Sequence, residues 1–315
     1  MKYIRIRKEL ILLLFLSLLA LVIATSCDPS GVYNACTSNA NQLQQCSPSG
    51  EKIDISIKGE YPSIDKFLSG VDPRNALEQF HIHGWRWHTA ALVRESGRLS
   101  ALAQRARALM DRGDALSQSL PQAVDYVVGF NMKGLQRIEG DLMFPWMRER
   151  LTNAKHVEPN VSQEFATIMT HLEGARQRLM DLGQSIIQSA SLAVDTKLET
   201  EQRAHAIQRV VDDSATLQSC AKAMMDIEDN ILVPAIAKIV PESEQHSFNN
   251  RVLMNLGILD SRLHLVAMYE AIEESGNSLE KSIFKKAIPS IPQMMIPRWK
   301  RKLYEPKAGV LDAEL

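Results

Sequence analysis

The 315 residues, 45% hydrophobic and 23% charged, are enough to bury a full core and make one large domain with extensions or two small ones. Thirty-six lysines and arginines against 37 aspartates and glutamates leave a formal charge of −1. The overall charge therefore gives no support for binding nucleic acid or for docking on an anionic surface, and any electrostatic partner has to be sought locally.

The chain opens with Lys2, Arg5, Arg7 and Lys8, followed by an apolar run from Leu10 to Ala24 broken only by Ser17. That run is short for a membrane span, which needs ~20 apolar residues, and matches the core of an export signal. It ends in Ala24-Thr25-Ser26-Cys27, small residues that suit a signal peptidase and resemble a lipoprotein box without its leucine. Cleaved signal peptide, acylated lipoprotein and uncleaved anchor all stay open for residues 1–26, and each implies a secreted or membrane-anchored protein. Residues 27–70 are polar and rich in Ser, Asn, Gln, Pro and Gly, as expected of a linker. Cys36 and Cys46 could close a small loop there, whereas Cys220 sits in a helical pattern that suits an unpaired buried thiol.

Helical periodicity takes over after the linker. Asp72-Pro73 reads as a cap and first-turn proline for a helix over about 74–111, and a second is expected over about 121–151 on Val124, Val128, Leu135 and Leu142. Asn160 with Gln163 suggests a capping box opening a third helix to about 190, and a fourth runs over about 199–239. Long helices with short connections predict an all-α fold with an antiparallel four-helix bundle over 71–245. Residues 246–315 read as a C-terminal helical extension with a basic tail, in which Arg298, Lys300, Arg301 and Lys302 surround Trp299 and Tyr304. Such a tail packs over a bundle end with its charges solvated, or rests on anionic lipid.

Two eight-residue stretches match position by position: Ile138-Glu139-Gly140-Asp141-Leu142-Met143-Phe144-Pro145 and Ile227-Glu228-Asp229-Asn230-Ile231-Leu232-Val233-Pro234. The agreement suggests duplication of a two-helix unit. Each glutamate falls on its helix's apolar stripe, Glu139 between Leu135 and Leu142 and Glu228 between Met224 and Ile231, so both are expected to point inward and to need partners. On the other two helices, His88 lies on a stripe with Leu92 and Leu99, His81 lies seven residues earlier on the same side, and His171 lies between Ile168 and Ala175. Two imidazoles and two carboxylates, one per helix, would suit iron, manganese or zinc; the alternative is a metal-free core in which each histidine pairs with a glutamate.

These stretches, with WHTAALVRESGRL around His88 and HLEGARQRLMDLG from His171, resemble the hemerythrin-like HHE cation-binding domains over about residues 74–245. The resemblance implies a four-helix bundle with a metal centre, in which helices two and four carry His-x-x-x-Glu-x-x-x-Leu-Phe-Pro and the partner helices supply an inward histidine. This chain departs from that pattern: four residues before the glutamates stand Leu135 and Met224, and neither replaces an imidazole on iron. The expected ligand set is therefore reduced to His88, Glu139, His171 and Glu228, with His81 as a substitute. No phosphate loop, Gly-x-Ser-x-Gly elbow or Cys-x-x-Cys pair suggests an enzyme. Two functions remain in view: a metal-binding or metal-sensing bundle with a reduced site, and a metal-free, tethered or secreted interaction module.

Overall fold

The structure, a computed structural model, describes residues 61–110, 116–153 and 157–313. The export or anchor segment, most of the linker, and Cys27, Cys36 and Cys46 lie outside the described residues. Every regular element among those described is helical, as the all-α reading expects, and no described helix is long and apolar enough to cross a membrane.

The elements run as α1 (Pro62–Leu68), α2 (Pro73–Gln79) and α3 (His83–Leu109), then a second rod made of α4 (Leu120–Val124), α5 (Lys133–Ile138) and α6 (Phe144–Thr152). Next come α7 (Pro159–Ala193) and a fourth rod of α8 (Thr200–Ile227) and α9 (Val233–Ile239). The C-terminal part holds α10 (Glu242–Leu256), α11 (Ile258–Ser275), α12 (Ser278–Ala287), α13 (Ser290–Trp299) and α14 (Glu305–Ala308). α3 and α7 both pack along α8, α4 and α6 pack on α7, and α5 touches α3, so the four rods share one core. α11 lies along the outer side of α3.

Three boundaries differ from the sequence expectation. The first helix is interrupted at Phe80, whose extended backbone (φ −88°, ψ 124°) lets Phe80 and Ile82 both enter the core. The third helix starts on Pro159 with Glu158 before it, so the proline's fixed φ and not an Asn160 box sets the start. A capping box does form at the fourth, where the Glu199 amide donates to Gln202 Oε1 (3.1 Å). The expected linker ends early, because α1 buries Ile64 and its Ser63 and Ile64 amides donate to the Glu164 carboxylate at 3.1 and 2.8 Å. Cys220 is fully buried but disulfide-bonded, which corrects the unpaired-thiol reading.

Within the rods the helix widens to i→i+5 bonding over Glu139–Met143 and again over Glu228–Leu232. The cause is the proline six residues after each glutamate. Pro145 and Pro234 have no N–H, and their rings would press on the carbonyl four residues back, so the preceding Phe144 and Val233 amides reach the Glu139 and Glu228 carbonyls instead. The same device recurs at Lys300–Tyr304 before Pro306. A further wide stretch, Asp125–Met132, has no such proline after it.

The basic tail is folded, not loose. Tyr304 is buried and donates to Glu95 Oε1 on α3 (2.6 Å), while Arg94 and Arg98 donate to the same carboxylate at 2.7 and 2.5 Å. Both arginines also donate to the Tyr304 hydroxyl, and Arg98 pairs with Asp312. Because Glu95 is wholly buried, its oxygens take their hydrogen-bond donors from this cage. Glu95→Ala leaves Arg94 on Glu274 and Arg98 on Asp312 but removes the buried acceptor shared by three donors, and should cost about 3 kcal/mol, whereas Tyr304→Phe, which removes one donor, should cost about 1 to 2 kcal/mol; urea unfolding of the two variants should give that order.

Candidate metal centre

Glu139 and Glu228 stand at the first residues of the two wide turns, both with no exposed surface. Glu139 Oε1 accepts from the Trp85 indole (3.3 Å). Glu139 Oε2 and both oxygens of Glu228 have no hydrogen-bond donor from the protein. The Thr89 hydroxyl favours the charged form of Glu228 from nearby, yet it donates to the Trp85 carbonyl (3.3 Å) and makes no bond to the carboxylate.

Two arginines bound the pair without neutralising it. Arg176 of α7 acts on Glu139; its guanidinium fits because Gly140 has no side chain, and a Cβ there would lie 2.6 Å from Arg176 Nη1. Arg86 of α3 is spent elsewhere: its Nε and Nη2 grip Asp229 at 2.5 and 2.8 Å, and its Nη1 donates to Glu280 at 2.9 Å. Burial therefore dominates both carboxyls. It pushes Glu139 up to about 7 and Glu228 well above the usual carboxylate range, with the neighbouring Glu139 charge raising Glu228 further.

The histidines do not join them. His88 is fully buried, but its Nε2 lies 3.2 Å from the Asn131 carbonyl and its ring stands 4.3 Å from that of His264. Trp85 and Thr89 are the α3 residues that reach the glutamates, and His88 is turned away from them toward the second rod and α11. His171 sits at the edge of its stripe, where Leu172 takes the inward position, and its Nδ1 meets the Tyr61 hydroxyl at 3.2 Å. His81 is not on the inner face; it lies half-buried near Glu242 and His246. His83, two residues on, is buried and stacked on Trp87. Among the described residues, the one group of three His, Cys, Asp or Glu side chains with ligand atoms mutually within 4.8 Å is His81, Glu242 and His246.

The donor set bears on what could be held. The di-iron centre of the hemerythrin-like domains that the sequence resembles needs imidazoles beside the carboxylates, and four residues before each glutamate stand the buried side chains of Leu135 and Met224, so the residues do not fit that centre. Two carboxylates with three unengaged oxygens fit a single hard cation better.

A second buried polar cluster escaped the sequence reading. His264 stacks on Phe130 (4.2 Å between ring centres), and Gly134 makes room for it, since a Cβ there would lie 2.6 Å from its ring. His88 Nδ1, His264 Nδ1 and both side-chain atoms of Asn131 have no hydrogen-bond partner from the protein. Burial brings His88 down to about 4 and His264 well below its ordinary value, keeping both neutral. The sequence signal was His264 between Leu263 and Val266 on the buried stripe of α11, opposite a glycine on the inward face of α5.

No family model, curated protein or solved structure matches the chain.

These shifts set opposite pH trends. Glu139 holds its proton to about 7 in the folded state against 4.5 ordinarily, so its contribution is most favourable below 4.5 and is lost as pH rises through about 7. His88 contributes fully above 6.5, and that contribution is lost as pH falls toward about 4. With chelator present, wild type should lose stability relative to Glu139→Gln as pH rises from 4.5 to 7; denaturant titrations of both across that interval would show a pH-independent difference if the carboxyl were not perturbed.

Proposed function

We propose that this chain is a hemerythrin-like antiparallel four-helix bundle whose role is to bind one cation between Glu139 and Glu228. The observation that carries the reading is the pair of buried carboxyls with three oxygens lacking any donor from the protein. A carboxylate stripped of water is costly unless a proton or a cation replaces the lost contacts. The paired prolines and wide turns, alike in the two motifs, support descent from a duplicated unit of the hemerythrin-like kind. In this reading the expected set of His88, Glu139, His171, Glu228 and His81 contracts to the two glutamates. Oxygen donors alone favour manganese or ferrous iron over zinc. Export or tethering by residues 1–26 accompanies the proposal, supported by the basic and apolar order of that segment and by the disulfide at Cys220, since disulfides persist in oxidising compartments.

The second reading, a metal-free interaction module, has its own support. Leu135 and Met224 fill the core where the family's imidazoles would stand, and Glu139 and Glu228 could share a proton in place of an ion. Elemental analysis of the purified full chain separates the two. The cation reading expects a single manganese or iron ion that survives desalting and is absent from the Glu139→Gln/Glu228→Gln variant. In the metal-free reading neither protein holds metal, and the double variant is the more stable of the two at neutral pH. Two irons with an oxygen-sensitive absorbance would overturn both.

A further inference from the structure

Away from the buried glutamates, α10 and the segment joining α2 to α3 bring two imidazoles and a carboxylate together at the surface. Glu242 and His246 lie one turn apart on α10, with His246 Nε2 3.2 Å from Glu242 Oε1. His81 Nε2 approaches the same oxygen at 3.7 Å, and the two imidazole rings are 4.7 Å apart. Atoms bound to one tetrahedral zinc at about 2.0 to 2.2 Å stand roughly 3.3 to 3.6 Å from one another. The spacings at this corner are close to those of a ligand set, so closing it round an ion needs only small side-chain rotations.

His81 is also held in place. Its amide donates to Gln245 Oε1 (2.8 Å) and its carbonyl accepts from Asn249 Nδ2. Both clamps come from α10, the helix that carries Glu242 and His246, so the three donors move as one unit. Gln245 is itself buried and anchored through the Val240 carbonyl (2.9 Å). Lys238, which lines the same corner, is directed away: its ammonium donates to the Phe67 carbonyl and sits over the Phe67 ring. A shallow open cavity lined by Gln79, His81, Lys238 and Glu242 gives solvent access.

We propose that His81, Glu242 and His246 form a surface site for a borderline divalent cation, zinc foremost, with the remaining coordination position open to water or to a donor from another molecule. The site is independent of the buried glutamates and differs from them in chemistry, with nitrogen donors predominating.

The test is calorimetric titration of the full chain with zinc chloride, carried out in the Glu139→Gln/Glu228→Gln background so that the buried pair contributes nothing. The site expects saturable binding that His246→Ala and Glu242→Gln each weaken by at least about tenfold. His205→Ala is the control, because His205 and Glu201 form an exposed pair one turn apart with no third donor; it should leave zinc affinity unchanged. Circular dichroism shows whether each variant stays folded, and His246 and Glu242 are exposed enough that their loss leaves the core untouched. Absence of zinc binding, or equal loss in the His205→Ala control, would overturn the proposal.

Discussion

The organising constraint of this molecule is the burial of two carboxyl groups against each other. Glu139 and Glu228 come from wide turns of two different rods, and neither has any exposed surface through which solvent could share its charge. Much of the surrounding detail follows from that cost: an indole donor from Trp85, a guanidinium admitted by a missing side chain at Gly140, and Arg86 committed to Asp229 beside Glu228. Each glutamate thus has an arginine from a helix of the other repeated unit close by. The arrangement is reciprocal but not identical, since Gly140 and Asp229 occupy matching motif positions and serve their arginines by different means. Even so, the compensation is incomplete, and the oxygens left over are what give the pair its chemical interest.

Much of this was legible in the sequence. The repeated Ile-Glu and proline frames marked the two matching stretches, though not their widening, and the apolar stripe placed both glutamates inside, as the structure has them. The histidines were not legible to the same degree. Periodicity assigns a residue to a face only to within about one position, and at His171 one position is the difference between the core and the flank occupied beside Leu172. His88 was correctly inward, yet a helix interior has more than one side; its neighbours are Asn131 and His264, the latter from a helix beyond the repeat and so invisible to an argument built on duplication. His81 was misplaced because no glycine or proline marks the break at which α2 and α3 part at Phe80.

The C-terminal third is joined to the rods by polar contacts as well as by packing. Glu95 is caged by Arg94, Arg98 and Tyr304, Arg86 and Trp87 both donate to Glu280 of α12, and His264 of α11 enters beside His88. α3 therefore faces two ways, contributing Trp85 and Thr89 to the glutamate pair and a series of charged and aromatic anchors to the C-terminal helices. A substitution on its outer side can reach the inner site through a single helix.

The wide turns carry one more implication. Each adds in effect one residue to its rod, and one residue is about 100° of helical rotation. Side chains beyond Pro145 and Pro234 are thus aimed in a direction that the pattern before the glutamates does not extrapolate to, and the two halves of each rod obey separate registers. Deleting a single residue within Glu139–Met143 would restore one continuous frame and leave the side chains of α6, Trp146 and Met147 among them, facing the neighbours they have now. The two rods are each a pair of independently phased helices, with a carboxylate set at the seam.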